Sequence, residues 1–341
     1  KLKSKWGQGY THRNLGISYL RMKELDQAEQ HIKQAIAFSS EIGNNTNLVK
    51  AKLELGHLGL ERKQCQSAIG IFKETAGLAK RYNLKEVLWR ALRGQGACLK
   101  QMGQAPAAIE AYKQAVAVVD SMRASIKVEE FQNGFLTDKQ DVYKELILLL
   151  LDSGKVQASF EYAERAKARS FIDLLGNQKM SLKDDVSQGM YNSLTDQKQI
   201  IREIEERLSN TEGEEEVKKV QAELIDSRTR YQDLLIEVKE KSPQIANFVT
   251  VESITLNKLK AMVEPDMALV EYLVTERELI AWVITRDGIQ SVRTPVVKEK
   301  LAALIKDFRD RMQNLAPLEE QSRQLYDLVV RPVILTSSQN V

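Results

Sequence analysis

The chain has 341 residues, of which 43% are hydrophobic and 28% charged, with a net charge of +3. This length exceeds one ordinary core and suits two or three structural units. The nearly balanced charge argues against nucleic acid or a membrane surface as the main partner, and two cysteines are too few for a disulfide-stapled secreted scaffold. No apolar run approaches the roughly 18 residues of a membrane-spanning helix, so we expect a cytoplasmic protein.

A pattern with a period of 40 residues occupies the first third of the chain. Glycines recur at Gly16, Gly56 and Gly96, and each is followed by three further columns in register. These columns are Ala28, Ala68, Ala108; Ile32, Phe72, Tyr112; and Ala35, Thr75, Ala115. Small residues allow two helices to cross closely, and the large residue fills the gap between them. Each repeat therefore predicts a pair of antiparallel helices, and the pairs must stack to bury their apolar faces.

Turn-forming residues separate the predicted helices at 24–26 within the first pair and at 43–45 between the first and second pairs. The segment NLGISYL…LDQAEQHIKQAIAFSSEIGN resembles a tetratricopeptide repeat (TPR) of the forty-residue kind, and the resemblance extends over residues 1–125. It implies a mainly α fold, a TPR α-solenoid, that binds protein or peptide on the face lined by the first helix of each pair. The second repeat departs from the family pattern at Gly59, where a large residue is usual.

Counting from the glycines places twelve side chains on this face, and none of the twelve is a carboxylate. The predicted peptide-binding residues are Arg13, Asn14, Lys50, His57, Arg90, Arg93 and Lys100. An extended acidic peptide would find both charge partners and apolar contacts here, and Asn14 resembles the asparagine with which related repeats grip a peptide backbone. Two alternatives stay open: the cations are merely solvated, or the groove is filled by the protein's own linker or hairpin.

Residues 126–176 predict a degenerate fourth repeat, with helices at 135–151 and 158–175 around a turn at 152–155. Residues 177–243 predict an irregular linker to about 195 and then two apolar stripes. The stripes are Ile200, Ile201, Ile204, Leu208 and Val217, Val220, Leu224, Tyr231, Leu234, Val238. Two stripes around a polar break favour an antiparallel helical hairpin, similar to a short coiled coil, over a single bent helix. A homodimer through this hairpin is one hypothesis.

Residues 244–341 change to strand-like periodicity and predict the start of a small α/β domain. The expected strands are 268–274, 279–284 and 290–293, followed by helices at 297–313 and 319–330. The segments FEYAERAKARSFIDLL (160–175), ALVEYLVTERELIAWVITRDG (268–288) and LYDLVVRPV (325–333) together resemble the CHAT family of caspase-like domains, which often follow TPR arrays. The resemblance implies the N-terminal part of a CHAT domain.

CHAT peptidases resemble caspases in using a His and a Cys from later strands of the domain. The histidines and cysteines of this chain are His12, His31, His57, Cys65 and Cys98, all within the repeats. No catalytic residue of the family can therefore be assigned here. A dyad of His57 and Cys65 has neither an oxyanion hole nor a cleft beside it in the sequence pattern, and we interpret both cysteines as small buried thiols.

The sequence contains no phosphate-binding loop and no zinc-ligand spacing, so we predict neither cofactor nor metal. The acidic runs at 184–185 and 214–216 are typical of solvated helix starts. Two hypotheses for function remain. In the first, the chain is the sensor and scaffold portion of a TPR–CHAT protease whose catalytic core we expect beyond Val341. In the second, it is a non-catalytic adaptor with a degenerate CHAT-like segment used for packing or dimerisation.

Overall fold

The computed structural model describes residues 5–123, 135–176, 185–211, 214–241 and 255–337. The described residues are mainly helical, with one three-stranded antiparallel sheet, which confirms the predicted fold class. They form two compact units. The chain passes from the first unit to the second, returns to the first and ends in the second. The first unit lies within Lys1–Leu146 and Ser170–Val251, and the second within Ile147–Arg169 and Glu252–Val341.

Three helix pairs build the repeat array of the first unit, as the 40-residue period predicts. Five of the six helices have the same length of 17 residues. The helices are α1 (Lys5–Arg21), α2 (Leu25–Glu41), α3 (Asn45–Glu61), α4 (Cys65–Arg81), α5 (Lys85–Gln101) and α6 (Ala105–Arg123). Each helix packs on the next, and α3 also contacts both α1 and α5. The first helices of the pairs therefore lie side by side.

The repeated glycines make room for the large side chain of the partner helix. A Cβ atom at Gly16 would lie 2.7 Å from Ile32, and one at Gly56 would lie 2.5 Å from the ring of Phe72. Phe72 is also approached from the third pair, where a Cβ at Gly94 would lie 2.3 Å from its ring. The ring is thus enclosed by glycines of two successive repeats, which couples the repeats to each other.

The turns repeat as faithfully as the helices. Within pairs, Lys23, Lys63 and Gly103 occupy equivalent positions with φ of 62°, 59° and 74°. Between pairs, Gly43 and Asn83 have φ of 69° and 53°. A left-handed residue thus follows each of α1 to α5 and turns the chain back on itself. The predicted turn at 24–26 was placed too late, because α2 already begins at Leu25 and the left-handed residue that makes the turn is Lys23.

Two further helices follow, α7 (Phe135–Asp152) and α8 (Val156–Gly176), joined at Gly154, whose φ is 70°. Their bounds are close to those predicted for the fourth repeat. The residues of α7 up to Leu146 belong to the first unit, where Tyr143 donates a hydrogen bond to Asp120 of α6. The residues that follow, through Arg169 of α8, belong to the second unit.

The predicted hairpin is present in the first unit as α9 (Asp185–Asn210) and α10 (Glu214–Lys241). Leu194, Ile204, Leu224 and Tyr231 are among the residues of its apolar core. The expected linker at 177–195 was wrong from Asp185 onward, because that stretch is helical: buried Leu194 anchors it despite its polar composition. Residues 177–184 lie outside the described residues. Ile200, which the sequence placed in the apolar stripe, is 45% exposed.

The second unit contains a sheet of three antiparallel strands in the order β1-β2-β3. The strands are β1 (Leu269–Val274), β2 (Glu278–Ile284) and β3 (Ile289–Pro295), preceded by α11 (Leu256–Met262), which the sequence analysis did not predict. Beyond the sheet, the chain forms α12 (Lys298–Gln313), α13 (Glu319–Leu325), a wider π-helical turn (Tyr326–Val330) and α14 (Arg331–Ser337). The final helical region therefore extends past the expected end at residue 330. Pro332 lies at the second position of α14, which follows the π-helical turn directly.

Both faces of the central strand β2 are covered, which explains its uninterrupted apolar sequence. Ala281 and Val283 pack with Val333 of α14. On the opposite face, Trp282 is fully buried, with its ring centroid 6.1 Å from that of Phe160 in α8. The second unit is therefore organised around this strand.

Candidate functional site

The predicted binding residues lie on the first helices of the pairs. Arg13, Lys50, His57, Arg90 and Arg93 are half-buried, whereas Asn14 and Lys100 are exposed. Such intermediate burial arises because helical spacing of three and four residues places these side chains at the edge of the packed interior. We call the side of the array lined by α1, α3 and α5 the groove face.

Arg13 of the groove face has two guanidinium nitrogens without a partner among the described residues. Its Nε and Nη1 atoms are buried, and neither has a hydrogen-bond partner among the described residues. Nη2 reaches only Asn14 Oδ1, at 3.5 Å, and the guanidinium lies 5.3 Å from the centre of the Tyr10 ring. Buried guanidinium nitrogens normally have acceptors, and the described residues supply none for these two.

Lys50 on the neighbouring helix α3 adds a second positive charge beside Arg13. Burial lowers the pKa of Lys50, and the positive charge of Arg13 lowers it further, while Glu86 opposes both effects. Two positive charges close together on adjacent helix pairs repel each other, and an anion bound beside them would relieve this repulsion. The two charges lie on the first and second pairs.

Glu86, at the start of α5, is already engaged by other cations. It accepts from Arg90 Nε at 3.0 Å and lies 3.2 Å from Lys139 Nζ of α7. Burial alone would raise the pKa of Glu86, yet Trp89, Lys139 and Arg90 together hold it below its usual range. Glu86 therefore remains ionised, but its charge is shared among several partners.

Arg93 is committed to a partner within the protein. Its Nε and Nη2 atoms donate to the carboxylate of Glu145 in α7, at 3.0 and 2.5 Å. Bidentate pairing of this kind is the strongest geometry available to an arginine and a carboxylate. The third repeat consequently offers less free positive charge than the sequence indicates.

The remaining predicted residues are placed differently. His57 Nδ1 lies 3.2 Å from Glu54 Oε2, and its ring is tilted against Phe72. Asn14 is exposed next to Arg13, and Lys100 is exposed near the end of α5. The structure thus gathers Arg13, Asn14 and Lys50 at one end of the groove face, with Lys100 in a different part of it.

Sequence reasoning missed the two carboxylates that balance the groove cations, Glu86 and Glu145, and also Lys139, which pairs with Glu86. Glu86 precedes the counted positions of α5, and the other two belong to α7, which had been treated separately as a degenerate repeat. Aligning Gly154 of α7–α8 with Gly103 of the third repeat would have placed acidic residues of α7 beside the groove positions.

The two cysteines lie close together between α4 and α5. Cys65 Sγ donates to Gln101 Oε1 at 3.1 Å, and burial, followed by the neighbouring Cys65, raises the pKa of Cys98 to about 12. Both are free and buried. The polar and ring contacts of His57 among the described residues are with Glu54 and Phe72, and neither residue has a thiol. Among the described residues, no three His, Cys, Asp or Glu side chains are grouped so that they could hold a metal ion.

None of the described helices is both long enough and apolar enough to cross a membrane. Comparison of the sequence with models of known families found no match. Comparison with curated proteins also found none.

Several solved structures show a distant likeness, among them RapI and an aspartyl phosphate phosphatase. The apo form of RapI is 13% identical, with a TM-score of 0.41, over 73% of this chain and 78% of that one. Aspartyl phosphate phosphatase F from Bacillus subtilis is 17% identical, with a TM-score of 0.36, over 74% of this chain and 64% of that one. Likenesses of this size say nothing about what this chain binds.

Proposed function

We propose that the chain is a protein-binding scaffold whose groove face takes an extended peptide segment bearing a carboxylate side chain. The observation that carries this proposal is Arg13, with two buried guanidinium nitrogens that have no acceptor among the described residues. A ligand carboxylate beside Arg13 and Lys50 would relieve the repulsion between the two cations, and a rotation of the Arg13 side chain would bring its unpartnered nitrogens to that carboxylate.

The location favours a peptide over an isolated anion. Tyr10 and His57 lie on the same face as Arg13 and Lys50 and are half-buried, so partly exposed aromatic side chains are present near the cations. Exposed Asn14 can hydrogen-bond a peptide backbone with its side-chain amide. An acidic residue flanked by ordinary side chains would therefore gain both charge pairing and apolar contact.

The proposal is tested with fluorescently labelled peptides that differ only by one central Glu or Gln. We expect the Glu peptide to bind with micromolar affinity and to weaken as salt rises, because the contact is electrostatic. Arg13→Gln should weaken binding about tenfold, which corresponds to loss of one charged hydrogen-bond partner. Lys73→Gln, at an exposed lysine of α4, is the matched control and should bind normally. If the Glu and Gln peptides bound equally well, the carboxylate would contribute nothing to binding and the proposal would be wrong.

A second observation supports a narrower function for the whole protein. The segments that carry the CHAT resemblance are far apart in sequence, yet residues from each of them lie in the second unit. The ring centroid of Trp282 lies 6.1 Å from that of Phe160, and Tyr272 donates to the carbonyl of Val329 at 2.9 Å. We infer that this unit serves as the CHAT-like base of a caspase-like peptidase and that the repeat array acts as its sensor.

The peptidase function is tested by reading the gene beyond the segment that encodes this chain. A reading frame that continues into a segment encoding a His and a Cys, with peptide hydrolysis lost when that Cys becomes Ser, would support the peptidase. A frame that ends without such residues would favour the alternative, a non-catalytic adaptor. The peptide-binding proposal is independent of this outcome.

A further inference from the structure

A cleft of about 490 Å³ lies between the repeat array and the hairpin of the first unit. We call it the hairpin cleft. The array contributes residues from the α4–α5 connection and from the end of α6, and the hairpin contributes residues from both of its helices. The apolar side chains of the lining are Ala79, Leu88, Val118, Ile201 and Tyr231. Its volume falls in the range of clefts that hold small organic molecules.

Cations line the cleft in excess of carboxylates. Lys80 and Lys85 come from the array, Lys198 and Arg228 come from the hairpin, and Glu205 is the one carboxylate among the lining residues, all of which are described. A lining with this balance attracts anions and repels cations.

The carboxylate of Glu205 is shared between two of these cations at a single oxygen. Its Oε1 atom accepts from Lys85 Nζ at 2.5 Å and from Arg228 Nη2 at 2.6 Å. The side chains of Glu205 and Lys85 are only 13% and 17% exposed. One carboxylate paired with two cations leaves a net positive charge, with Lys85 and Glu205 largely shielded from water and Arg228 partly exposed. Burial lowers the pKa of Lys85, Glu205 opposes this effect, and Arg228 adds to the lowering.

An aromatic surface lies next to this net charge. Tyr231 forms part of the wall, and the ammonium group of Lys198 lies 5.6 Å from the centre of its ring. A flat apolar body could pack against Tyr231 and Leu88 while an anionic group reached Lys198 and Arg228. The lining therefore combines apolar walls with a few polar groups, which is the usual composition of small-molecule sites.

We propose that the hairpin cleft binds a small organic anion that has an aromatic or apolar body and a single carboxylate, sulfonate or phosphate group. The site is separate from the groove face, since none of the predicted peptide-binding residues lines it. A ligand there would contact α4, α5, α6 and both hairpin helices at once, so its binding would stabilise the hairpin against the array.

The experiment uses anilinonaphthalene sulfonate as the probe, with the uncharged phenylnaphthylamine as its matched control, and titration calorimetry on the full chain. We expect one sulfonate probe to bind per chain with micromolar affinity, and the neutral probe to bind about tenfold more weakly. Lys198→Glu should weaken the sulfonate probe by a similar factor. Lys73→Glu, with the same change of charge at an exposed position of α4, and Arg13→Gln on the groove face should leave the affinity unchanged.

A second variant keeps the test independent of charge. Gln232→Trp fills the cleft from its exposed rim and should abolish binding while the melting temperature of the ligand-free chain is maintained. Equal affinity of the charged and neutral probes, unchanged binding to both Lys198→Glu and Gln232→Trp, or the absence of saturable binding would each overturn the proposal. Loss of binding in Arg13→Gln alone would instead assign the probe to the groove face.

Discussion

Arg93 of α5 and Glu145 of α7 form a bidentate ion pair, although 52 positions separate them in the chain. Arg93 is one of the cations that the sequence assigns to a ligand carboxylate. The protein fills that role itself at the third repeat, while Arg13 at the first repeat has no equivalent acceptor among the described residues. Charge on the groove face is thus paired internally at the third repeat, whereas at the first repeat two nitrogens of Arg13 have no acceptor among the described residues.

Replacing the internal carboxylate should therefore change both stability and binding. In Glu145→Gln we expect a loss of at most about 1 kcal/mol in the free energy of unfolding, because both side chains of the pair are about one-third exposed and solvent screens them. Arg93 is at the same time released, so an acidic peptide should bind a few-fold more tightly, in contrast to the weakening expected for Arg13→Gln. Peptide titration and urea unfolding check the two effects. The control is Glu110→Gln, which breaks an exposed pair with Lys113. Unchanged peptide affinity in Glu145→Gln would place Arg93 outside the binding face.

Gly94 should be far less tolerant of substitution than other helical glycines of the array. Its added Cβ in Gly94→Ala would lie 2.3 Å from the Phe72 ring, which is fully buried and cannot retreat because Gly56 packs on it as well. We expect a loss of about 1–3 kcal/mol, typical of an overpacked core. Gly77→Ala in α4 is the matched control, since no atom lies within 4 Å of its added Cβ, and it should stabilise the chain by about 0.5–1 kcal/mol. Thermal unfolding that ranks the two variants in the opposite order would contradict the packing described here.

The roles of Gly94 and Gly56 mark the limit of what the sequence predicts. Gly56 recurs with the period of the repeat, so its contact with Phe72 follows from the pattern alone. Gly94 has no counterpart in the other pairs, and only the three-dimensional stacking of the third pair on the second brings it to Phe72. The same reasoning applies to Leu194, whose burial in the hairpin cannot be inferred from its polar surroundings in the chain.

The residues of the candidate site also include some that the sequence predicts and some that only the structure identifies. Counting along each helix was sufficient to propose Arg13 and Lys50, because their positions follow from helical periodicity. The commitment of Arg93 could not be seen, because its partner belongs to a different helix pair, and helical periodicity carries no information about charges on the next pair. Whether a cation is available to a ligand is a tertiary property.

Ser159 should be important for the second unit, out of proportion to its size. Its hydroxyl oxygen accepts the hydrogen bond of the Trp282 indole, and both side chains are fully buried. Ser159→Ala leaves the indole N–H without an acceptor, and we expect a loss of about 1–3 kcal/mol. Ser153→Ala removes a hydroxyl from the exposed end of α7 and should cost much less. Denaturant unfolding, followed by the fluorescence of Trp282, measures the free energy of unfolding of both variants. Equal losses in Ser159→Ala and Ser153→Ala would show that the buried hydrogen bond contributes no more to stability than the exposed one.

The stability of the second unit should depend on pH through Glu164 of α8. Burial raises the pKa of Glu164 to about 7, and a hydrogen bond and charge repulsion from Glu271 of β1 act in the same direction, while Lys167 of α8 opposes them. The ordinary value is 4.5, so the folded chain holds this proton more tightly than the unfolded chain. The stabilisation is complete below about pH 4.5 and is lost as the pH rises towards 7. Because Glu164 is only half-buried, we expect a decline on the order of 1–2 kcal/mol over that interval.

Glu164→Gln should remove most of this decline, since the amide keeps a hydrogen-bond donor at every pH. The control is Glu161→Gln on the exposed side of the same helix, which should retain the slope. Trp282 fluorescence, with Trp6 and Trp89 replaced by Phe, reports unfolding of the second unit alone. A free energy of unfolding that stays level or rises between pH 4.5 and 7 in the parent chain would contradict the raised pKa of Glu164. The same slope in parent and Glu164→Gln would assign the dependence to another group.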